Sequence, residues 1–318
     1  MSTERTTTTD SRTRFLDEVE TLFNTGDYAR GMDALYRGLA DLRRSLPREE
    51  WERFANEIAH AHPVRDKILE DPVTRHSLEK PRGYAGDAVL IDRLYGLFPS
   101  HAPTARGAAI QSWNLGRTPA RGVRHRRELL AEVIDRESRR HEGRARILSV
   151  ACGHLREVAL AGAVQSGYVA EVVALDADEA SLAVAVKAAP GLVTPQHLSV
   201  QRLLGRADQL GRFHLIYSAG LYDYLDERFA RKLTKTLFGM LEPGGCLVIG
   251  NMLPGVDAAG YMESFMGWPL RERSLHELEG LVADVPASEI GPVSTYADPF
   301  QAFGYCEIRK GAAARRAG

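Results

Sequence analysis

In ILSVACGHLRE an apolar run breaks at Gly153, followed by His154, Leu155 and Arg156, and the next apolar run, VVALDAD, breaks at Asp176, 23 residues further on. A glycine after a strand lets the backbone approach a ligand, while the helix that follows presents free N–H groups. A carboxylate at the tip of the second strand is placed to accept hydrogen bonds from two vicinal hydroxyls of a ribose. It can equally cap the next helix. The loop has one glycine where a dinucleotide fingerprint has three, and no Walker pattern is present, so a pyrophosphate is disfavoured. A ribose bound without a pyrophosphate cradle points to S-adenosylmethionine.

Methyl transfer from a sulfonium is an in-line displacement, catalysed largely by alignment in a water-excluded pocket and needing no metal. An amine or guanidinium acceptor must first lose a proton, whereas a carboxylate or thioether arrives ready. Three clusters offer the polar groups. KPRGYAGDA carries Arg82, Tyr84 and Asp87; LYDYL carries Tyr222, Asp223 and Tyr224; GNMLPGVDAAGYMESFMGWPLRERS carries Asn251, Glu263, Trp268 and Arg273. Each also has a plain structural reading. Pro81 and the glycines make a turn with Asp87 as a cap, Asp223 caps the next helix, Trp268 packs in a core and Arg273 is a solvated charge.

The elements that must position these residues fall into two regions. Residues 13–79 show helical periodicity, with Met32, Leu35, Leu39 and Leu42 on one face and a new helix start after Pro47. AVLIDRLYGLF predicts another helix, and a passage containing proline and glycine runs from Pro99 to Arg121. From about residue 121 strands alternate with helices: RARILSVAC, EVVALD, LSVQRL, FHLIYSAG and CLVIGNM, with a helix from about Asp226 to Leu241 before the last. That order predicts a doubly wound, mostly parallel α/β sheet. PVSTY and FGYCEIRK add an antiparallel edge. The boundaries expected are a disordered lead-in (1–12), a helical region (13–120), a ligand-binding domain (121–310) and a tail (311–318).

At 318 residues and 44% hydrophobic content the chain can fill one large domain and a smaller one. Forty-one basic against 42 acidic residues leave a net charge of −1, which disfavours nucleic acid and anionic membrane as partners. The run Arg121 to Arg127 reads as a solvated helix face. The first residues, MSTERTTTTDSRTR, lack the apolar segment of a signal peptide, and a cytoplasmic location is the expectation. Cys152, Cys246 and Cys306 lie far apart and read as small buried residues, with no disulfide framework or zinc site indicated.

Across residues 120–310 the succession ILSVACGHLRE, VVALDAD, FHLIYSAGLYDYL and LEPGGCLVIGN resembles the class I S-adenosylmethionine-dependent methyltransferases. The resemblance implies a Rossmann-like, seven-stranded sheet. It places Ala151, Cys152 and Gly153 at the methionine part of the cofactor, Asp176 at the ribose, and Ala177 and Asp208 at the adenine. Ser218, Ala219 and Gly220 would face the sulfonium. The usual glycine-x-glycine centre is reduced here to Cys152-Gly153. KPRGYAGD, LYDYL, GN after the fifth strand, and a tryptophan five residues before an arginine also resemble a narrower bacterial group. That group makes 3-hydroxy fatty acid methyl esters, or methylates methionine sulfur or arginine nitrogen.

Tyrosine, carboxylate and arginine suit an amino acid better than an acyl tail, which needs a long apolar channel. The resulting expectation is methylation of a small polar metabolite in bacterial secondary metabolism. Arg82 or Arg273 would bind a carboxylate, and Tyr84, Asp87, Asp223 or Glu263 would hold a cationic group or act as base. Alternatives are a carboxyl O-methyltransferase making a hydroxy fatty acid methyl ester, and a non-catalytic nucleoside-binding module. The N-terminal helices are the expected homodimer surface, and KPRGYAGD the expected cover over the substrate.

Overall fold

The computed structural model describes residues 3–97 and 102–312, with the backbone alone for residues 3–11. The chain divides into two compact units, one of residues 1–121 with 255–269 and one of residues 122–254 with 270–318.

The first unit is helical. Its first helix, Thr3–Asn24, already begins inside the stretch that the sequence reads as a disordered lead-in. In the second, Tyr28–Ser45, Met32, Leu35 and Leu39 turn one fully buried stripe inward. Local capping sets the later boundaries. Asp71 accepts from the amides of Val73 and Thr74 ahead of Pro72–Glu79, with Pro72 in the first turn, where a missing N–H costs nothing. Asp87 does the same for Ala88–Leu94.

The passage from Pro99 to Arg121, which contains prolines and glycines, holds the helix Ala105–Leu115, capped by Thr104, and the start of Thr118–Arg140. Pro103 and Pro119 mark helix beginnings there, a position proline tolerates as well as a loop. Residues 98–101 lie outside the described ones.

The second unit is built on a seven-stranded sheet: β1 Arg146–Val150, β2 Glu171–Asp176, β3 Val193–His197, β4 Phe213–Ser218, β5 Leu241–Met252, β6 Ile290–Ala297 and β7 Phe303–Lys310. The strand order is β3-β2-β1-β4-β5-β7-β6. The first five are parallel, and β7 runs antiparallel between β5 and β6. Successive residues of the central strands feed opposite cores. Leu148, Ile216 and Leu247 pack on one face; Ile147, Leu215, Tyr217 and Val248 pack on the other. Burying a side chain of this size contributes roughly 1.5–3 kcal/mol, so the β1-β4-β5 centre is the stable floor of the unit.

One strand differs from the sequence reading. LSVQRL is not a strand: Ser199 accepts from the amide of Arg202 and starts the helix Val200–Leu203. The third strand is VTPQH, paired with β2 from Val193 opposite Val172 to His197 opposite Asp176. It is an edge strand, which is why Pro195 is tolerated and why its burial is too shallow to leave an apolar run.

Candidate active site

The loop leaving β1 is held to β2 by backbone and by one carboxylate. Cys152 N donates to Leu175 O at 3.1 Å, and Gly153 N donates to Asp176 Oδ2 at 2.8 Å. Asp176 Oδ1 accepts from Asp178 N at 2.9 Å. The cap of the next helix, Glu179–Ala185, is Asp178, which accepts from Ala180 N and from the Ser181 hydroxyl. Asp176 is therefore free of the capping role and fixes the β1 loop instead. His197 at the end of β3 contacts Ala177 O at 3.0 Å, and Ala177 itself is exposed, so three strand ends are tied together.

The loop has an unusual backbone. Ala151, Gly153 and Leu155 have φ of +54°, +53° and +53°. Only the middle one is glycine. Left-handed geometry at a residue with a Cβ costs roughly 1–2 kcal/mol, and such strain collects at functional sites. The Cys152 thiol is pushed far up by burial, then by the charges of Asp176 and Glu157, so it is a packing residue rather than a nucleophile. Cys246 and Cys306 are buried, and all three thiols are free.

These residues fit the nucleoside end of S-adenosylmethionine. Each oxygen of Asp176 takes one amide N–H, which leaves acceptor capacity on the carboxylate for two vicinal hydroxyls. Asp208 does not belong to this group. It is exposed in the short helix Ala207–Leu210, and Leu210 O accepts from Arg146 Nη1 at the start of β1, the opposite end of the sheet.

At the end of β4 the Ser218 hydroxyl donates to Val150 O at 3.0 Å, joining this strand end to β1. Arg126, from the helix Thr118–Arg140, donates to Ala219 O; Gly220 is exposed. Tyr222, Asp223 and Tyr224 then form a short 3-10 turn. Tyr222 is buried with its hydroxyl on Thr234, and burial raises its pKa; Tyr224 is exposed. Asp223 is buried, accepting from Met252 N at 2.6 Å through Oδ1, while its carbonyl accepts from Arg271 N at 2.7 Å. Burial pushes its carboxyl up to about 6, against the lowering effect of the Met252 amide and of Arg126 and Arg273.

Arg273 has a different place from the one expected. It is buried and donates to Tyr222 O and Asn251 Oδ1 at 2.8 Å each and to Leu225 O at 2.6 Å, with Glu227 at 3.4 Å. Asn251, also buried, donates to Met252 O and Arg271 O. The pair is a clasp that holds the turn after β4 against the end of β5, and its donors are committed to protein oxygens.

The remaining candidates lie in the helical unit. Asp87 is fully buried, accepting from Leu90 N at 2.8 Å and meeting His76 Nε2 at 3.0 and 2.9 Å, so it is a cap and an imidazole anchor rather than a base. Glu263 accepts from Arg43 at 3.0 and 2.8 Å and from the Trp51 indole, a helix-to-helix tie in place of a catalytic role. Trp268 is buried, with its amide on Met262 O. Tyr84 is 38% exposed and Arg82 half-buried, in a turn where Gly83 has φ +90°.

Two features of the sheet unit escape the sequence reading. Tyr217 OH donates to Glu157 Oε1 at 2.7 Å; both groups are buried, and burial raises both pKa values. Arg126 is 7% exposed although it sits in a run that reads as a solvated face. The signal was its phase: it follows Val123 by three residues and precedes Leu130 by four, on the buried stripe. Among the described residues no group of three or more His, Cys, Asp or Glu is placed to hold a metal ion, and no helix is long and apolar enough to cross a membrane.

The strand order, the antiparallel β7 and the linked ends of β1, β2 and β4 define the Rossmann-like methyltransferase fold, preceded by N-terminal helices. No protein-family model and no curated protein matches the chain. Among solved structures it is similar to a possible exported protein from Bordetella parapertussis, with a TM-score of 0.61 and 18% identity over 88% of this chain and 97% of that one. Looser likenesses are to the N-methyltransferase NodS from Bradyrhizobium japonicum WM9 (TM-score 0.42, 13% identity, 58% of this chain and 97% of that one). Magnesium protoporphyrin IX methyltransferase from Synechocystis PCC 6803 is similar in the same degree (TM-score 0.45, 11% identity, 69% and 89%). At these identities the likeness concerns the fold, and the latter two superpose too loosely to bear further on this chain.

Proposed function

We propose that the chain is an S-adenosylmethionine-dependent methyltransferase acting on a nitrogen of a small polar metabolite, an amino acid being the preferred substrate. The observation that carries the reading is Asp176. Relieved of helix capping by Asp178, it fastens the strained β1 loop and keeps acceptor capacity at the tip of β2. Bound there, the cofactor supplies the electrophilic methyl group. Ala151, Cys152 and Gly153 would line its methionine part, Asp176 its ribose and Ala177 its adenine edge. Ser218, Ala219 and Gly220 would face the sulfonium.

Nitrogen is preferred over carboxylate or thioether because the turn after β4, where Asp223 sits, leads directly from the proposed sulfonium position and holds a carboxyl that burial makes more basic. A buried carboxyl brought up to about 6 is ionised at neutral pH yet basic enough to take a proton, which only an amine or guanidinium acceptor requires. Arg273 is committed to the clasp and is not the group proposed to bind a substrate carboxylate. The test is turnover of S-adenosylmethionine with a panel of amino acids, amines and 3-hydroxy acids. Release of S-adenosylhomocysteine only with an amino-group acceptor supports the reading; release only with a hydroxy acid replaces it with the methyl ester alternative.

A further inference from the structure

One side chain joins the strand ends of this site and belongs to none of the roles above. Arg126 donates through Nη1 to Ala219 O, the first carbonyl beyond β4. A Cβ placed on Gly220 would stand 3.5 Å from the same nitrogen, so the guanidinium packs under the Ala219–Gly220 backbone. Its carbon lies 5.3 Å from the centre of the Phe303 ring at the start of β7. The side chain is 7% exposed, in surroundings where a fixed charge acts strongly on its neighbours.

Two buried carboxylates respond to it. Arg126 favours the ionised form of Glu157, beside the β1 loop, and of Asp223, in the turn after β4. Arg273, itself 3.4 Å from Glu227, acts on Asp223 in the same direction. Glu157 feels Arg127 of the same helix and the Tyr217 phenol. A guanidinium stays charged at every pH at which the protein is folded, so this contribution does not titrate away.

We propose that Arg126 is a positioning residue of the methyl-transfer site, clamping the Ala219 carbonyl where the sulfonium would sit and setting its charge at the strand end that leads into the Asp223 turn. The proposal rests on the methyltransferase reading above and assigns a role to a residue outside it.

The test uses the full chain carrying carboxyl-13C aspartate, with the Asp223 signal assigned by its loss in Asp223→Asn. Its titration is followed in the wild type, Arg126→Met and Arg126→Lys, and S-adenosylhomocysteine binding is measured calorimetrically on the same samples. Removing the charge should raise the Asp223 midpoint by about one pH unit in Arg126→Met, and Arg126→Lys should restore it. Both variants lose the clamp, and affinity should fall about fivefold in each.

Unchanged S-adenosylhomocysteine affinity in Arg126→Met overturns the proposal, and an unmoved Asp223 midpoint there shows that the clamp acts without the charge. If that variant does not fold, Arg126→Lys decides alone: unchanged affinity overturns the clamp, and a several-fold loss with a wild-type midpoint supports it. A wild type that binds no S-adenosylhomocysteine defeats the methyltransferase reading instead, while the titrations in the same samples still decide whether Arg126 governs Asp223.

Discussion

Asp223 is the residue at which the proposed function and stability pull in opposite directions. Its folded pKa, about 6, lies above the ordinary aspartate value of 3.8, so the folded state holds the proton more tightly than the unfolded one. The group therefore adds stability as pH falls from about 6 toward 4, and above 6 it is ionised at a net cost. Asp223→Asn keeps an acceptor for Met252 N and removes that charge. It should raise the unfolding free energy at pH 8 by about 1–3 kcal/mol, measured by urea denaturation, and leave less than a hundredth of the turnover. In the wild type, turnover should fall as pH drops through about 6. Arg273 invites the reverse prediction: Arg273→Ala leaves Asn251 and two carbonyls without a donor in a buried place, and should destabilise by about 3 kcal/mol or more.

At the scale of elements, the loop after β1 is where sequence and structure disagree most usefully. Three alternate residues adopt left-handed geometry, and two of them are not glycine. Ala151→Gly should relieve strain and stabilise by about 1 kcal/mol, whereas Gly153→Ala should cost a similar amount, both read from thermal unfolding. What made this loop legible was the apolar run ending in Gly153 and the acid ending the next run. What hid its geometry was that side-chain identity at Ala151 and Leu155 gives no sign of a positive φ. The same contrast holds elsewhere. The buried strands β1, β2, β4 and β5 are visible as apolar runs because both their faces are covered. The edge strand VTPQH is not, and the apolar LSVQRL beside it is taken over by a serine cap. Glu263, Asp87 and Arg273 could be picked out as polar residues near strand or helix ends. Whether such a residue meets a ligand or a distant backbone carbonyl depends on contacts far apart in sequence, such as Arg43 to Glu263, which no local pattern encodes.

At the scale of the whole molecule, the sheet unit has its proposed ligand-binding end on one side and an acid-sensitive seam at the other. His141 and His214 lie 4.4 Å apart between ring centres, and His214 Nδ1 accepts from Arg146 N at the start of β1. Burial lowers both imidazole pKa values; His141 is lowered further by His214, and His214 by Arg144 and Arg146 against the opposing charge of Glu242. Groups depressed in the folded state give their full stability above the ordinary histidine value of 6.5 and lose it as pH falls through the folded values. Between about pH 6.5 and 5, His141→Phe should therefore lose less stability on acidification than the wild type. A melting curve in which the variant and the wild type lose stability equally on acidification would place the sensitivity elsewhere.

The central claim, that the linked ends of β1 and β2 hold the nucleoside of S-adenosylmethionine through Asp176, meets its most direct test in calorimetric titration with S-adenosylhomocysteine. The wild type should bind, and Asp176→Ala should bind at least tenfold more weakly, a loss of about 1.4 kcal/mol. No binding by the wild type, or equal affinity in the variant, would contradict it.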